Sequence, residues 1–362
     1  AQAPVTLGWV NLEGGAPGFP ELTVGAEAAV KMVNEKYGGI GGHPIVLKKC
    51  LVTSSEEEGQ KCAQEMANDD SISLILEGTL VIGSGAFHQT LAGAKPVLIG
   101  SPNSPTDAMA KNAYGVTAGV FGTNPGFTGY AAGFLKAKTA ALIGPSDDPT
   151  GVEAAKQIKA NMEKAGIKVT YSGFASTATD LLAPLTAAGA TSADVTVTLL
   201  PLPSQCIAAA KSLQQLGVSK PVLALALCIS PPVKEALGDY PKWTYVSLTE
   251  NPAVPEASPA IAEYLDAMKT YAGADANVGG FANTGFGQVL AAVKVGNQIG
   301  VDNLSKDTWA EGLKGYTGQV PMFAPELHFG FVPPLPALGT LSSRLYTYQG
   351  DGKFEDATNG EW

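Results

Sequence analysis

The chain has 362 residues, 45% hydrophobic and 15% charged, which is long enough for two globular domains and too apolar for a disordered chain. Its net charge of −10 argues against nucleic acid or an anionic membrane as a partner, because those surfaces attract Lys and Arg. The sequence has neither an apolar run long enough to span a bilayer nor a basic-then-apolar leader. We therefore expect a mature chain from which any signal or lipid anchor has been removed.

The first elements in chain order predict a β-α-β unit. A strand at 5–10 is followed by a loop rich in Gly and Pro and then by an amphipathic helix over 23–37. Gly38 and Gly39 end this helix, because glycine adopts the left-handed conformation without a Cβ penalty. The segment PIVLKKC is predicted to be the next strand, with Cys50 at its end. Strands joined through a helix in this way pair in parallel by a right-handed crossover.

Strands and helices continue to alternate beyond this unit. Most of the predicted strands are continuous apolar runs, as in parallel sheets that helices cover on both faces. They lie at 73–77, 96–100, 139–144, 168–172, 194–200, 221–227 and 243–248. Further helices are predicted at 54–68, 84–92, 127–138, 151–165, 204–217 and 258–271. A late hairpin, LYTYQGDGKFE, adds a β-ribbon. The pattern predicts an α/β fold with two doubly wound parallel-sheet lobes.

The four cysteines are Cys50, Cys62, Cys206 and Cys228. They have no CxxC spacing, and with only three histidines they form no familiar zinc pattern, so no metal site is predicted. In each pair one cysteine ends a predicted strand and the other lies on an adjacent helix. This placement favours the disulfides Cys50–Cys62 and Cys206–Cys228 in an oxidising compartment. Four buried free thiols are the alternative, since cysteine is often buried.

A search for catalytic motifs gives none that fits. Ser84 lies between glycines in VIGSGAF, but the pattern is not G-x-S-x-G and no histidine follows in triad order. The dinucleotide and P-loop glycine patterns are also missing from the sequence. Asp148, in the loop SDD, could hint at a cation, but a solvated polar loop is the simpler interpretation. His88 is interpreted as a packed or surface histidine. We expect a binding protein, not an enzyme, and no cofactor.

Several segments give the chain a resemblance to a known family. They are VTLGWVNLEGGAPGF, GAEAAVKMVNEKYGGIGG, LILEGTLVIGSGAF, KPVLIGSPNSP, and GFGQVLAAVK followed by VPMFAP. They resemble type I periplasmic substrate-binding proteins of ABC importers, in the branched-chain amino-acid-binding (Leu/Ile/Val-binding) family. The resemblance covers nearly the whole chain, and the cysteine spacing is similar to that of actinobacterial members.

The resemblance implies two lobes joined by three crossovers, which carry over to 118–122, 245–250 and 319–325. The N-terminal lobe would then comprise 1–118 plus 250–322, and the C-terminal lobe 119–249 plus 323–362. The ligand is expected between the lobes, at the C-terminal ends of the strands. The implied partners are a small molecule and an ABC permease in the membrane. The protein itself is expected to be monomeric and extracytoplasmic, either periplasmic or anchored at the cell surface.

Candidate ligand contacts lie mainly in the loops 77–85 and 101–107. These loops offer backbone amides and hydroxyls, which attract an anion or a carbonyl oxygen. Apolar side chains would supply the walls of the pocket, although each could equally be part of a core. The candidate ligand-binding residues are Glu13, Phe19, Glu77, Thr79, Leu80, Val81, Ile82, Gly83, Ser84, Ser101, Asn103, Ser104, Asp148, Leu202, Ile229 and Phe286.

The chain departs from the family at the positions that the resemblance assigns to an amino-acid ligand. Ile82 has no hydroxyl where one holds the carboxylate, and the loop GSPNSPTD is shortened. Cys228 and Ile229 stand where an acid usually meets the ammonium, and Leu202 replaces an aromatic lid. Burying an ammonium without a carboxylate costs several kcal/mol, so Leu, Ile and Val are expected to be poor ligands. An aromatic or aliphatic acid or amide is expected instead, although Glu13 or Glu77 could still meet an amine.

The sequence thus predicts an extracytoplasmic solute-binding protein that delivers a small organic molecule to an ABC importer. Three alternatives remain at this point. The first is a ligand-sensing receptor ectodomain of the same fold, and the second is an amino-acid-binding protein with a diverged site. The third is an enzyme on the same scaffold.

Overall fold

The chain divides into two compact units in a computed structural model. The structure describes residues 2–15, 17–147, 149–254, 258–279, 281–324 and 326–361. Unit 1 comprises 1–121 and 248–342, and unit 2 comprises 122–247 and 343–362. The candidate residue Asp148 lies outside the described residues.

The strands and helices alternate along most of the chain, as the sequence predicts. The strands are β1 (Val5–Leu12), β2 (Ile45–Val52), β3 (Ile72–Glu77), β4 (Val97–Ile99), β5 (Ala113–Gly115), β6 (Thr139–Pro145), β7 (Lys168–Phe174), β8 (Val195–Thr198), β9 (Val222–Leu225), β10 (Thr244–Ser247), β11 (Thr317–Gly318), β12 (Leu327–His328), β13 (Arg344–Gly350) and β14 (Lys353–Asp356). The α-helices are α1 (Pro20–Met32), α2 (Glu56–Asn68), α3 (Ser84–Leu91), α4 (Pro105–Met109), α5 (Val120–Gly129), α6 (Pro149–Lys164), α7 (Leu182–Ala187), α8 (Pro203–Gln215), α9 (Pro231–Leu237), α10 (Pro259–Ala267), α11 (Ala282–Ile299) and α12 (Lys306–Lys314).

Unit 1 is built on a parallel sheet of five strands in the order β2-β1-β3-β4-β5, within the residues that the structure describes. Alternate residues of β3 face opposite sides, as the period of two in a strand requires. Leu74 and Leu76 pack in the core that α1 and α11 cover, whereas Ile75 packs with α2 and α3 on the other face. Glu77 follows Ile75 on that second face and is fully buried. This placement brings Glu77 beneath α3.

The first β-α-β unit forms as predicted, with β1 parallel to β2. The helix α1 continues as a π-helical turn to Tyr37, and Gly38 ends it with φ of 74° in the left-handed region. The strand β2 continues to Val52, so the prediction that it stops at Cys50 is wrong by two residues.

Unit 2 is built on a seven-stranded sheet of the order β14-β13-β10-β9-β8-β6-β7, counted over the described chain. Strands β6 to β10 pair in parallel. The hairpin β13–β14 extends the sheet beyond β10, because β13 pairs antiparallel with both β10 and β14. Ala141 and Ile143 face one core of this unit, and Ala140 and Leu142 face the other. The predicted two-lobe α/β architecture and the predicted hairpin are therefore confirmed.

Both predicted disulfides are present, Cys50–Cys62 and Cys206–Cys228, and no free cysteine remains. Cys62 lies on α2 and Cys206 on α8, as expected. Cys228 does not end a strand, because β9 stops at Leu225 and the chain continues as a short 3₁₀ turn that ends at Cys228.

The third crossing between the units lies at 342–343, later in the sequence than the predicted 319–325. The segment between these positions belongs to unit 1. It contains the pair β11–β12, and Leu338 forms a β-bridge to Gly115, the last residue of β5. The first two crossings, at 121–122 and 247–248, fall inside the predicted ranges. Among the described residues, no helix is both long and apolar enough to cross a membrane.

Candidate functional site

The C-terminal ends of β1, β3 and β4 lie side by side at one edge of the unit 1 sheet. Parallel strands bring the residues that follow them to the same edge, which is where open α/β sheets bind ligands. Glu13 follows β1, Thr79 follows β3, and Ser101 and Asn103 follow β4. The structure thus brings these four predicted site residues together at one edge of unit 1.

Asn11 organises this edge, although the sequence analysis did not single it out. Its side chain is fully buried near the end of β1. Its Oδ1 accepts a hydrogen bond from the Thr79 amide at 3.2 Å, and its Nδ2 donates to the Phe19 carbonyl at 2.9 Å. The signal in the sequence is an amide between apolar residues of a strand, because such a side chain has to be satisfied by its surroundings.

The loops after β3 and β4 are joined by side chains. The Thr79 hydroxyl donates to the Ser101 carbonyl at 3.1 Å. Asn103 Nδ2 donates to that same carbonyl at 3.0 Å and also to the Thr79 hydroxyl. Asn103 is only half-buried, so its amide lies at the boundary between this network and solvent. The edge therefore presents neutral hydrogen-bonding groups.

Glu13 is the carboxylate of this edge, and it is half-buried. Its Oε2 accepts hydrogen bonds from the Thr23 hydroxyl and from Asn11 Nδ2, the latter at 3.2 Å. Burial raises the pKa of the nearby Glu21, and the charge of Glu13 raises it further, while the backbone amides of Glu21 and Phe281 oppose the shift. Glu13 thus contributes negative charge to this end of the sheet.

The loop from Leu80 to Ser84 has one apolar side chain at the surface and others inside. Val81 is 44% exposed and Ile82 is half-buried, whereas Leu80 is fully buried in the core beneath α3. The Gly83 amide donates to Glu56 at 2.7 Å and the Ser84 hydroxyl donates to Asp107. The Gly83 amide and the Ser84 hydroxyl therefore already have hydrogen-bond partners within the protein.

Other predicted site residues are structural in their present positions. Phe286 is fully buried in the α1–α11 core, and Phe19 packs edge-on against Phe281. Ser104 is the N-cap of α4, where its hydroxyl accepts the Asp107 amide at 3.2 Å.

Unit 2 presents its own polar edge at the ends of β6 and β7. Asp147 accepts the Ser176 amide at 2.9 Å and the Ser176 hydroxyl at 2.6 Å, and these hydrogen bonds lower the pKa of Asp147. The buried Gln205 donates to the Ser176 carbonyl at 3.0 Å. Leu202 is 42% exposed and Ile229 is half-buried. Ile229 directly follows the disulfide-bonded Cys228.

A second polar cluster lies beneath α3 in unit 1, and the sequence analysis missed it. His88 Nε2 lies 3.0 Å from Glu77 Oε2 and 3.7 Å from Asp107 Oδ1. Burial raises the pKa of Asp107 to about 6, and the negative charge of Glu77 contributes to this rise. Hydrogen bonds from Ser84 and Asn103 act in the opposite direction and lower the pKa. Burial alone would lower the pKa of His88, but the two carboxylates outweigh it and the net shift is upward. Of the two positions left open for His88, packed or at the surface, the structure has the packed one, and the charged neighbours of His88 were not predicted.

The two-lobe α/β fold, with polar groups at the ends of parallel strands, is that of a type I periplasmic binding protein. The chain belongs to the periplasmic binding protein family, whose model matches residues 4–351. This is a family of solute-binding proteins of ABC transporters, not of enzymes, and its proteins act outside the cytoplasm. A search of curated protein sequences finds no match.

Solved structures with the same fold share little sequence with this chain. A leucine-binding protein from Thermotoga maritima is 14% identical with a TM-score of 0.75, and the match covers 97% of each chain. A solute-binding protein from R. palustris in complex with 4-hydroxybenzoate is 17% identical with a TM-score of 0.75, covering 98% of this chain and 95% of that one. A fatty acid ABC transporter substrate-binding protein from Thermomonospora curvata is 16% identical with a TM-score of 0.73, covering 98% and 93%.

Proposed function

We propose that the chain is the solute-binding component of an ABC importer for a small organic acid or amide with an apolar or aromatic body. A standard branched-chain amino acid is not the proposed ligand. The observation that carries this proposal is the end of β9, where the family resemblance implies a carboxylate for the ligand ammonium. That place holds Cys228, which is bonded to Cys206, followed by Ile229.

The carboxylates of unit 1 support the same conclusion. Glu77 was one of two acids left open for a ligand amine, but its side chain is fully buried against His88. Only Glu13 remains as a candidate, and its Oε2 already accepts hydrogen bonds from Thr23 and Asn11. Of the two acids left open for an amine, an ammonium would therefore meet only a carboxylate that is already engaged, and desolvating an ammonium there is unfavourable.

The polar groups that remain suit a ligand oxygen. The backbone near Val81 and Ile82 lies at the C-terminal edge of the unit 1 sheet, beside Asn103, whose Nδ2 already donates to Thr79 and to the Ser101 carbonyl. Exposed Val81 and half-buried Ile82 would contact the apolar body of the ligand. The fold is compatible with such ligands, since one protein that shares it is described with 4-hydroxybenzoate and another as a fatty acid transporter component.

Mass spectrometry of native protein would identify a ligand that co-purifies. A thermal-shift screen would then compare 4-hydroxybenzoate, benzoate, medium-chain fatty acids and their amides with leucine, isoleucine and valine. We expect at least one acid or amide to raise the melting temperature while the amino acids leave it unchanged. The reverse result would overturn the proposal and favour an amino-acid-binding protein with a diverged site.

The role in import has a separate test. A permease gene beside this one would agree with transport, whereas a membrane span encoded downstream in the same gene would indicate a receptor ectodomain. Co-purification of the protein with that permease in detergent would support the importer assignment directly.

A further inference from the structure

The side chains of Glu77, His88 and Asp107 converge within unit 1 from three different elements. Glu77 is the last residue of β3, His88 lies on α3, and Asp107 lies on α4. Their potential ligand atoms all lie within 4.8 Å of one another, and all three residues are buried. Hydrogen-bonding groups that are far apart in the sequence therefore surround one small volume.

Glu77 has no hydrogen-bond donor in this volume. Its side chain is fully buried, and neither carboxylate oxygen accepts a hydrogen bond. His88 Nε2 lies 3.0 Å from Oε2, close enough for an ion pair when the ring is protonated, but the contact does not have hydrogen-bond geometry. A buried carboxylate without any donor is unfavourable, so the geometry calls for a group that bonds to Glu77 and His88 together.

A metal ion meets this requirement. Ligand atoms at about 2.0–2.2 Å from a tetrahedral Zn²⁺ stand about 3.3–3.5 Å from one another. The observed separations from His88 Nε2, 3.0 Å to Glu77 and 3.7 Å to Asp107, lie on either side of this value. Two ligand atoms of the same cation can lie this close together without a hydrogen bond between them.

The charges lead to the same conclusion. With a metal ion bound, the imidazole is neutral and both carboxylates are ionised, so the three ligands carry a net charge of −2, which one divalent cation neutralises. One imidazole with two carboxylates suits Zn²⁺, Co²⁺ or Ni²⁺ better than Mg²⁺ or Ca²⁺, which take oxygen ligands. We propose that Glu77, His88 and Asp107 bind one divalent transition-metal ion.

The surroundings are those of a supported metal site. Asp107 is held by the Ser84 hydroxyl and by the amides of Asn103 and Ser104, at 2.7 and 3.1 Å, so its carboxylate is fixed in orientation. His88 also lines a groove of about 490 Å³ between α3 and α4, beside Gln89 and Met109. An ion would approach His88 from this groove, and a water molecule would complete its four ligands.

The site adjoins the edge where the solute is proposed to bind, because the Asn103 amide donates to Asp107. The ion would join the end of β3 to α4 and so hold the loops that carry Thr79 and Asn103. The proposal does not depend on the identity of the solute, because metal binding is measured without it.

The test begins with chelator-treated protein titrated with ZnCl₂ by calorimetry. We expect about one ion per chain, with affinity at least tenfold lower in Glu77→Gln and in His88→Gln. His328→Gln is the matched control, because His328 is an exposed histidine, and it should leave the affinity unchanged. Zinc binding by both site variants with the affinity of the unaltered protein would overturn the proposal and indicate an adventitious ion only.

A second measurement needs no variant and so does not depend on the folding of one. The chain has three histidines, and their ring nitrogens can be followed by NMR during zinc titration. We expect zinc to shift Nε2 of one buried histidine, His88, and Co²⁺ to give the visible absorption of a four-coordinate ion. Unshifted His88 signals at saturating zinc would show that a proton, not a metal, balances the cluster, and would overturn the proposal.

Discussion

The Asn11 side chain ties the first strand to the loop after the third, because its Oδ1 accepts the Thr79 amide at 3.2 Å. Its Nδ2 donates in the opposite direction to the Phe19 carbonyl at 2.9 Å, so one buried amide satisfies groups from two loops. These are loops of the proposed solute site. The stability of unit 1 and the shape of the edge where the solute is proposed to bind therefore depend on the same residue.

Asn11→Leu keeps the volume of the side chain but leaves the Thr79 amide and the Phe19 carbonyl without this partner. We expect the free energy of unfolding to fall by about 1–3 kcal/mol, because the Thr79 amide is left unsatisfied, whereas the Phe19 carbonyl keeps the Leu22 amide as a donor. Urea denaturation would measure the loss. Asn161→Leu makes the same change on an exposed face of α6 and should cost far less. Equal losses in the two variants would contradict the role given to Asn11.

The contact between α1 and α11 depends on glycine. A Cβ atom at Gly25 would overlap the carbonyl oxygen of Ala282. We expect Gly25→Ala to destabilise the protein by about 3 kcal/mol, because backbone atoms in a packed contact cannot move aside cheaply. Gly129→Ala is the control, since Gly129 is helical with open space around it, and it should stabilise by about 0.5–1 kcal/mol. A Gly25→Ala protein as stable as the unaltered one would contradict the close approach of the helices.

The sequence predicts well what depends on local pattern. The strand and helix alternation, the glycine at the end of the first helix and both disulfides follow from runs of apolar residues and from spacing, and each is observed. The short strand Ala113–Gly115 was missed, because three residues give too few positions for a pattern.

The polar clusters could not be predicted in the same way. Glu77 was expected near a ligand because it ends a strand, but the two-residue period places it on the face beneath α3 with His88. The partnership of His88 and Asp107 depends on how α3 packs beside α4, which no spacing in the sequence records. Contacts between elements, and not the elements themselves, define this part of the protein.

The hydrogen bonds of Asp194 predict how the stability of the protein changes at acid pH. Its Oδ2 accepts the amides of Lys138 and Thr139, both at 2.9 Å, and these hydrogen bonds lower its pKa from the ordinary value of 3.8. The unfolded chain therefore takes up this proton at a higher pH than the folded one. The stabilisation by Asp194 is present above pH 3.8 and is lost as the pH falls through the lower folded pKa.

We accordingly expect Asp194→Asn to be less stable than the unaltered protein near neutral pH. The difference should shrink as the pH falls below the ordinary aspartate pKa, where the charge is lost in both states. Denaturation curves at a series of pH values would show this convergence. Glu235→Gln, at an exposed acid on α9, should follow the unaltered protein throughout. A difference between Asp194→Asn and the unaltered protein that does not change with pH would contradict the assignment.

Substitution of Glu13 tests whether the solute carries an amine. An ammonium paired with this half-buried carboxylate would lose its partner in Glu13→Gln, and its affinity would fall at least about tenfold. We expect the affinity for the co-purified solute to change by less than about threefold, because an acid or amide makes no such pair.

Asn103→Asp is the complementary variant, since it adds a negative charge at the same edge. It should weaken a carboxylate ligand at least about tenfold by like-charge repulsion. Calorimetry with both variants distinguishes an amine, which is weakened by Glu13→Gln, from a carboxylate, which is weakened by Asn103→Asp, and from an amide, which neither change weakens strongly. A large loss in Glu13→Gln with little effect of Asn103→Asp would establish an amine and contradict the proposed solute.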